Sequence, residues 1–205
     1  MRLYYSPGTI SIAVAIALEE AGLEYDPVSL DFRNGEQRGD AYLAINPKGR
    51  VPALDLDGTI LTETGAILDY IATLAPEAGL VPDDPLQAAR MRAVMYYLAS
   101  TMHVNHAHKL RGARWASEES SFEDMRAKVP ETMTASARYV EQNCLGGPFV
   151  LGERISLADP YLYVVCTWLE GDSVDVLQFP KIEAFRAAMQ DRASVKAVRA
   201  KGMLR

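Results

Sequence analysis

The first half of the chain switches between two hydrophobic periods. Residues 2–5, RLYY, form a short strand-like run. Residues 10–22, ISIAVAIALEEAG, are apolar at nearly every position until Glu19 and Glu20. A helix apolar all round is buried, here expected against a sheet, and Gly22 stands where a helix ends on a left-handed residue. YDPVSLDF reads as the next strand, at an edge because Pro27 cannot donate to a ladder. GDAYLAINPKG gives a short helix and a turn. VPALDLDGTILTE alternates on both sides of Asp57-Gly58 and predicts a hairpin. TGAILDYIATLAPEAG is a helix closed by Pro76. The order is βαβ, a helix, then ββα.

PEAGLVPDDP, rich in Pro, Gly and Asp, reads as an interdomain linker. The expected organisation is an α/β domain over 1–77, a linker over 78–86 and an all-helical domain over 87–205. One long helix is expected from about Leu86 to Trp115 and another from about Phe122 to Asn143. Further helices begin near Leu157, Pro180 and Val195. On the long helix, Met91, Met95, Leu98 and Met102 share a stripe, as a core or an interface seam. An adjacent face carries Arg92, Tyr96 and His103, as a pocket wall or a solvated surface.

Composition narrows the class. The chain has 205 residues, 49% of them hydrophobic, and a formal net charge of −6. That balance argues against a nucleic-acid binder, which needs a basic surface. No apolar run approaches the ~20 residues of a membrane span, and no secretory leader is expected. The two cysteines, Cys144 and Cys166, make no motif, which fits a cytoplasmic protein. The three histidines, in HVNHAHK, lack nearby Cys, Asp or Glu, so no metal is expected.

Four segments in order, YYSPGTIS, NPKGRVPAL, LTETGAILDYIA and FVLGERISLADPYL, resemble the cytosolic glutathione transferases over essentially the whole chain. The bacterial beta class is the most similar. The resemblance implies a thioredoxin-like first domain (βαβ-α-ββα) that binds glutathione, and a helical second domain that receives an electrophile. It implies a cis Val51–Pro52 bond and an open Val51 backbone edge, which pairs with the cysteinyl backbone of glutathione as an added strand would. The bland alternative is a turn before a strand. Glu63 and Thr64 begin a helix whose free N–H groups suit a carboxylate, while Glu63 suits an ammonium. Ordinary capping by Thr62 or Thr64 is compatible with this. Ile10, Arg33 and Arg50 complete the glutathione set. In ISLADPYL, Ser156 is the expected cap with Asp159 three residues on, a folding element without catalytic role.

The beta class usually has cysteine after the position of Thr9, and here the residue is Ile10. A mixed disulfide with glutathione is thereby lost at this position. Activation of the glutathione thiol by a hydroxyl is not. Only the thiolate is a good nucleophile, and each unit of pKa lowering needs ~1.4 kcal/mol. One hydrogen bond to an ionised group supplies ~1.5–3 kcal/mol. The candidate donors are Thr9, then Ser11, then Tyr5. His103 matches a histidine lining the beta-class active site, and Tyr96, His106 and Trp115 are expected in the electrophile pocket. The expected function is addition of the glutathione thiolate to a small, partly apolar electrophile by a homodimer. The alternatives are a glutathione- or ligand-binding protein with little catalysis, or another glutathione-dependent reaction such as dehalogenation or isomerisation.

Overall fold

The computed structural model describes residues 1–204. They form two compact units, one of residues 1–83 with 189–204 and one of residues 84–188.

The first unit holds a four-stranded sheet in the order β2-β1-β3-β4, with β1 at Arg2–Tyr5, β2 at Asp26–Ser29, β3 at Ala53–Leu56 and β4 at Thr59–Thr62. β1 and β2 are parallel and joined through helix α1, Ser11–Glu20, while β3 runs antiparallel to β1 and β4. β2 lies at the edge, where Pro27 needs no ladder partner. Asp57 and Gly58 both take positive φ, 53° and 97°, the two-residue turn that matches strand twist. Tyr4, Val28, Ala53 and Ile60 pack with Tyr42 and Ile45, from and just after the short helix α2, Asp40–Leu43. By the period of two, Leu3 and its partner Leu54 face the opposite side. There α1 meets β1 and helix α3, Thr64–Leu74.

All of Ser11 to Leu18 is buried. The sheet and α3 account for only part of that burial. A late helix, α9 at Ala193–Ala200, covers a further flank of α1. The Glu20 carboxylate accepts from Arg192 Nε and Nη2 at 2.5 and 2.6 Å and from the Ser194 hydroxyl. Glu19 accepts from Lys201 Nζ and Tyr25 Oη. The expected helical domain over 87–205 therefore differs from the packing, in which residues 189–204 join the first unit.

The second unit begins with α4, Pro85–Tyr97, capped by Asp84, which accepts from the Gln87 N–H at 2.8 Å. A π turn over Leu98–Met102 follows and leads into α5, His103–Ala107. The expected single helix to Trp115 is thus too long, because regular helix stops at Ala107. The wider π turn also spoils the α-helical alignment of Tyr96 with His103. Met91, Met95, Leu98 and Met102 are all buried within the chain, so the stripe is core. Helix α6 spans Glu119–Asn143, α7 Ala158–Cys166 and α8 Pro180–Asp191. Leu157, rather than Ser156, stands at the cap of α7. The buried Asp159 carboxylate accepts from the N–H of Val150 and of Ser156, both at 2.7 Å, and from Ser156 Oγ at 2.8 Å. No helix among the described residues is long and apolar enough to cross a membrane.

Candidate functional site

Strand register brings three loops to one end of the sheet. Tyr4 pairs with Ala53, and Ala53 pairs with Thr62. Because β3 is antiparallel to both neighbours, the chain leaving β1, entering β3 and leaving β4 emerges at the same edge. Those segments are Ser6–Ser11, Arg50–Pro52 and Glu63–Thr64.

In the first loop the Thr9 N–H and the Thr9 hydroxyl both donate to the Ser6 carbonyl, at 3.2 and 2.8 Å. Thr9 Oγ1 lies 2.6 Å from Ser11 Oγ, which accepts from the Ser6 N–H at 3.2 Å. The Gly8 N–H donates to the Met203 carbonyl, so the segment after α9 braces this turn. Thr9 is half-buried, whereas Ser11 is 0% exposed and lies behind it. As an independent donor to a ligand, Ser11 is therefore ruled out by burial. Ile10 is 5% exposed and packs in the core. Tyr5 is also buried, at the end of β1.

In the second loop the Arg50 carbonyl accepts from Tyr42 Oη and Asn46 Nδ2, both at 2.7 Å. These bonds fix the chain just before the Val51–Pro52 peptide, which is cis. The ladder takes up the chain only from Ala53, leaving the Val51 backbone edge outside it. The Arg50 side chain is exposed.

In the third loop Glu63 occupies the cap of α3 with φ 72° and ψ 119°. No side chain caps the first-turn N–H groups, so capping by Thr62 or Thr64 does not occur. Thr64 is buried, and the Glu63 side chain is 73% exposed. Lys48 Nζ reaches Glu63 Oε1 at 2.5 Å and Thr62 Oγ1 at 2.7 Å. Lys48 lies inside NPKGRVPAL, yet nothing in the residue pattern ties it to a carboxylate fifteen positions on. Arg33 is exposed, with its N–H held by Asp31 Oδ1 at 2.8 Å.

In the helical unit, His103 and His106 both lie against Trp168, their ring centroids 5.0 and 4.2 Å from the indole. His106 Nδ1 is 2.6 Å from Oδ2 of the buried Asp172, which also faces Lys109 Nζ at 3.3 Å. Lys109 donates to the Gly171 carbonyl as well. Trp168 and Asp172 escaped the sequence reading because a turn and a long separation divide them from the histidines. Trp115 follows a short 3₁₀ turn, Gly112–Arg114, and stands edge-on to His108. Tyr96 is 66% exposed. Thus His103 and His106 come together, while Tyr96 and Trp115 are each well exposed and have no part in their ring stack. No cluster of three or more His, Cys, Asp or Glu suited to a metal occurs among the described residues.

Residues 1–73 match the family described as the glutathione S-transferase N-terminal domain, and residues 106–202 match the C-terminal domain. The chain belongs to the glutathione S-transferase family. Glutathione S-transferase GstA of Escherichia coli O157:H7 is 31% identical, over 99% of this chain and 100% of its own. A maleylacetoacetate isomerase of Pseudomonas aeruginosa is 37% identical, over 79% of this chain and 78% of its own. A crystal structure of a glutathione transferase homologue from Sulfitobacter with bound glutathione is 66% identical. It covers 99% of this chain and 98% of that one at a TM-score of 0.98. The thioredoxin-like sheet domain and the helical domain are those of this transferase family.

Proposed function

We propose that this transferase binds glutathione at the shared end of the β1-β3-β4 sheet and adds its thiolate to a small electrophile. The convergence of three loops on that end carries the proposal. The γ-glutamyl carboxylate takes the uncapped N-terminus of α3 and the Thr64 hydroxyl. Its ammonium takes Glu63. Lys48 now holds that carboxylate, but the pair is exposed on both sides, and such pairs contribute only about 0–1 kcal/mol. Displacing Lys48 therefore costs little. The Val51 backbone receives the cysteinyl unit as an added strand, and Thr9 is the hydroxyl in reach of the sulfur. Arg33 and Arg50, both exposed, are the proposed partners of the glycyl carboxylate. His103, His106 and Trp168 offer the aromatic surface for the electrophile. A homodimer and a cytoplasmic location belong to the same proposal; sedimentation of the full chain checks the first.

The deciding experiment is glutathione-dependent conjugation of a chlorinated nitroaromatic, followed with calorimetry of glutathione binding. Turnover well above the uncatalysed rate is expected. Binding without turnover on several electrophiles makes the protein a glutathione binder, and absence of binding overturns the site. Similarity to a maleylacetoacetate isomerase favours a second reading. There the thiolate adds to a conjugated cis double bond, the new single bond rotates, and the thiolate leaves to give the trans isomer. Turnover of maleylacetoacetate exceeding conjugation selects that reading.

A further inference from the structure

Two arrangements of the Thr9 and Ser11 hydroxyl protons satisfy the contacts, and the distances favour the one in which Thr9, at 2.8 Å, rather than Ser11, at 3.4 Å, donates to the Ser6 carbonyl. Thr9 has a single hydroxyl proton, and at 2.8 Å it goes to the Ser6 carbonyl. The 2.6 Å contact between Thr9 Oγ1 and Ser11 Oγ then requires Ser11 to be the donor. Ser11 in turn accepts from the Ser6 N–H. The chain of bonds runs from the Ser6 amide to Ser11 to Thr9 and ends on the Ser6 carbonyl.

That last link is dispensable. The Ser6 carbonyl also accepts from the Thr9 N–H at 3.2 Å, so it keeps a partner if the Thr9 hydroxyl turns away. The other two links need not change when it does. Ser11 Oγ lies 3.4 Å from the same carbonyl, against 2.6 Å from Thr9, so its proton stays on Thr9. Ser11 itself, wholly buried, never meets a ligand.

We propose that Ser11 is the positioning residue of thiol activation: it donates to Thr9 Oγ1 and frees the Thr9 proton for the glutathione sulfur. This rests on the reading of Thr9 as the hydroxyl that meets the thiolate. No covalent bond changes; one O–H swings from a carbonyl to a sulfur anion. The bonds are aligned head to tail, and each polarises the next, strengthening the terminal donor by about 10–30% per link. Ser11 thus acts through Thr9 alone.

The test is the pH titration of the thiolate absorbance of glutathione bound to the full-length protein and to four variants. Thr9→Val raises the bound thiol pKa by about one to two units, since the direct bond is lost. Ser11→Ala raises it by about half a unit, a threefold loss of thiolate at neutral pH. Thr9→Val with Ser11→Ala gives the Thr9→Val value and nothing more. Ser11→Cys, with its weak donor, falls between Ser11→Ala and the parent, and serves if the alanine variant folds poorly. Additive shifts, or an unmoved pKa in both Ser11 variants beside a shifted Thr9→Val, overturn the role of Ser11 alone. An unmoved pKa in Thr9→Val overturns the reading beneath it as well.

Discussion

Glu63 joins an exposed carboxylate to a backbone that a side chain rarely adopts. Its φ of 72° is a conformation glycine takes at little cost, and other residues hold it at roughly 1–3 kcal/mol. The two properties separate by substitution. Glu63→Gly is expected to raise Tm, because it relieves the backbone. It is also expected to weaken glutathione binding about tenfold, or about 1.4 kcal/mol, because the ammonium loses its partner. Glu63→Ala is expected to weaken binding equally without the gain in Tm. Calorimetry and thermal unfolding of both variants check this, and unchanged affinity in both removes Glu63 from the site. Lys48→Ala is expected to leave affinity within a few-fold, since its exposed ion pair is weak.

At the scale of elements, the strongest local device is Asp159 at the start of α7. Its buried carboxylate satisfies two backbone N–H groups and a hydroxyl. In Asp159→Ala these donors stay buried without an acceptor, each at about 1–3 kcal/mol, so a loss of about 3 kcal/mol or more is expected. Asp159→Asn is expected to recover only part, because an NH₂ group replaces one accepting oxygen. Urea unfolding of both variants measures the difference. The pairing of Ser156 with Asp159 was legible in ISLADPYL, though the cap residue and the Val150 donor were not; the strands, the Asp57-Gly58 hairpin and α1 were legible because each follows from nearby residues and a fixed period. The π turn at Leu98–Met102 was not, since it leaves no mark in hydrophobic spacing. Nor was the partner of Glu19 and Glu20. An apolar helix ending in two carboxylates signals a basic neighbour, but periodicity cannot say that Arg192 and Lys201 supply it. The glutathione loops were read from motifs; their meeting at one sheet edge became visible only through the register.

Over the whole molecule, burial pushes several acids in one direction. The Tyr42 phenol is raised to about 12, the Cys144 thiol to about 11 and the Cys166 thiol to about 12, and Tyr25 and Tyr97 are raised as well. The unfolded chain releases these protons at lower pH than the folded protein does. Between the two sets of values the folded state binds more protons, so stability falls as pH rises. Unfolding free energy is expected to be flat from about pH 7 to 8 and to drop steadily above about pH 9. Denaturant titrations across that range check it, and stability rising into alkali contradicts it.

The bond from the Gly8 amide to the Met203 carbonyl ties together two residues that have the whole second unit between them in the chain. Between them the ribosome must produce all of residues 84–188, the whole helical unit. Until α9 emerges, a nascent chain carries α1 with one flank bare and Glu19 and Glu20 without their cations. Val195 and Val198, buried in the finished protein, are apolar cover made only after the helical unit. The turn bearing Thr9 is translated before the helical unit and braced by a segment translated after it, so a ribosome stalled within that unit holds an incomplete first unit.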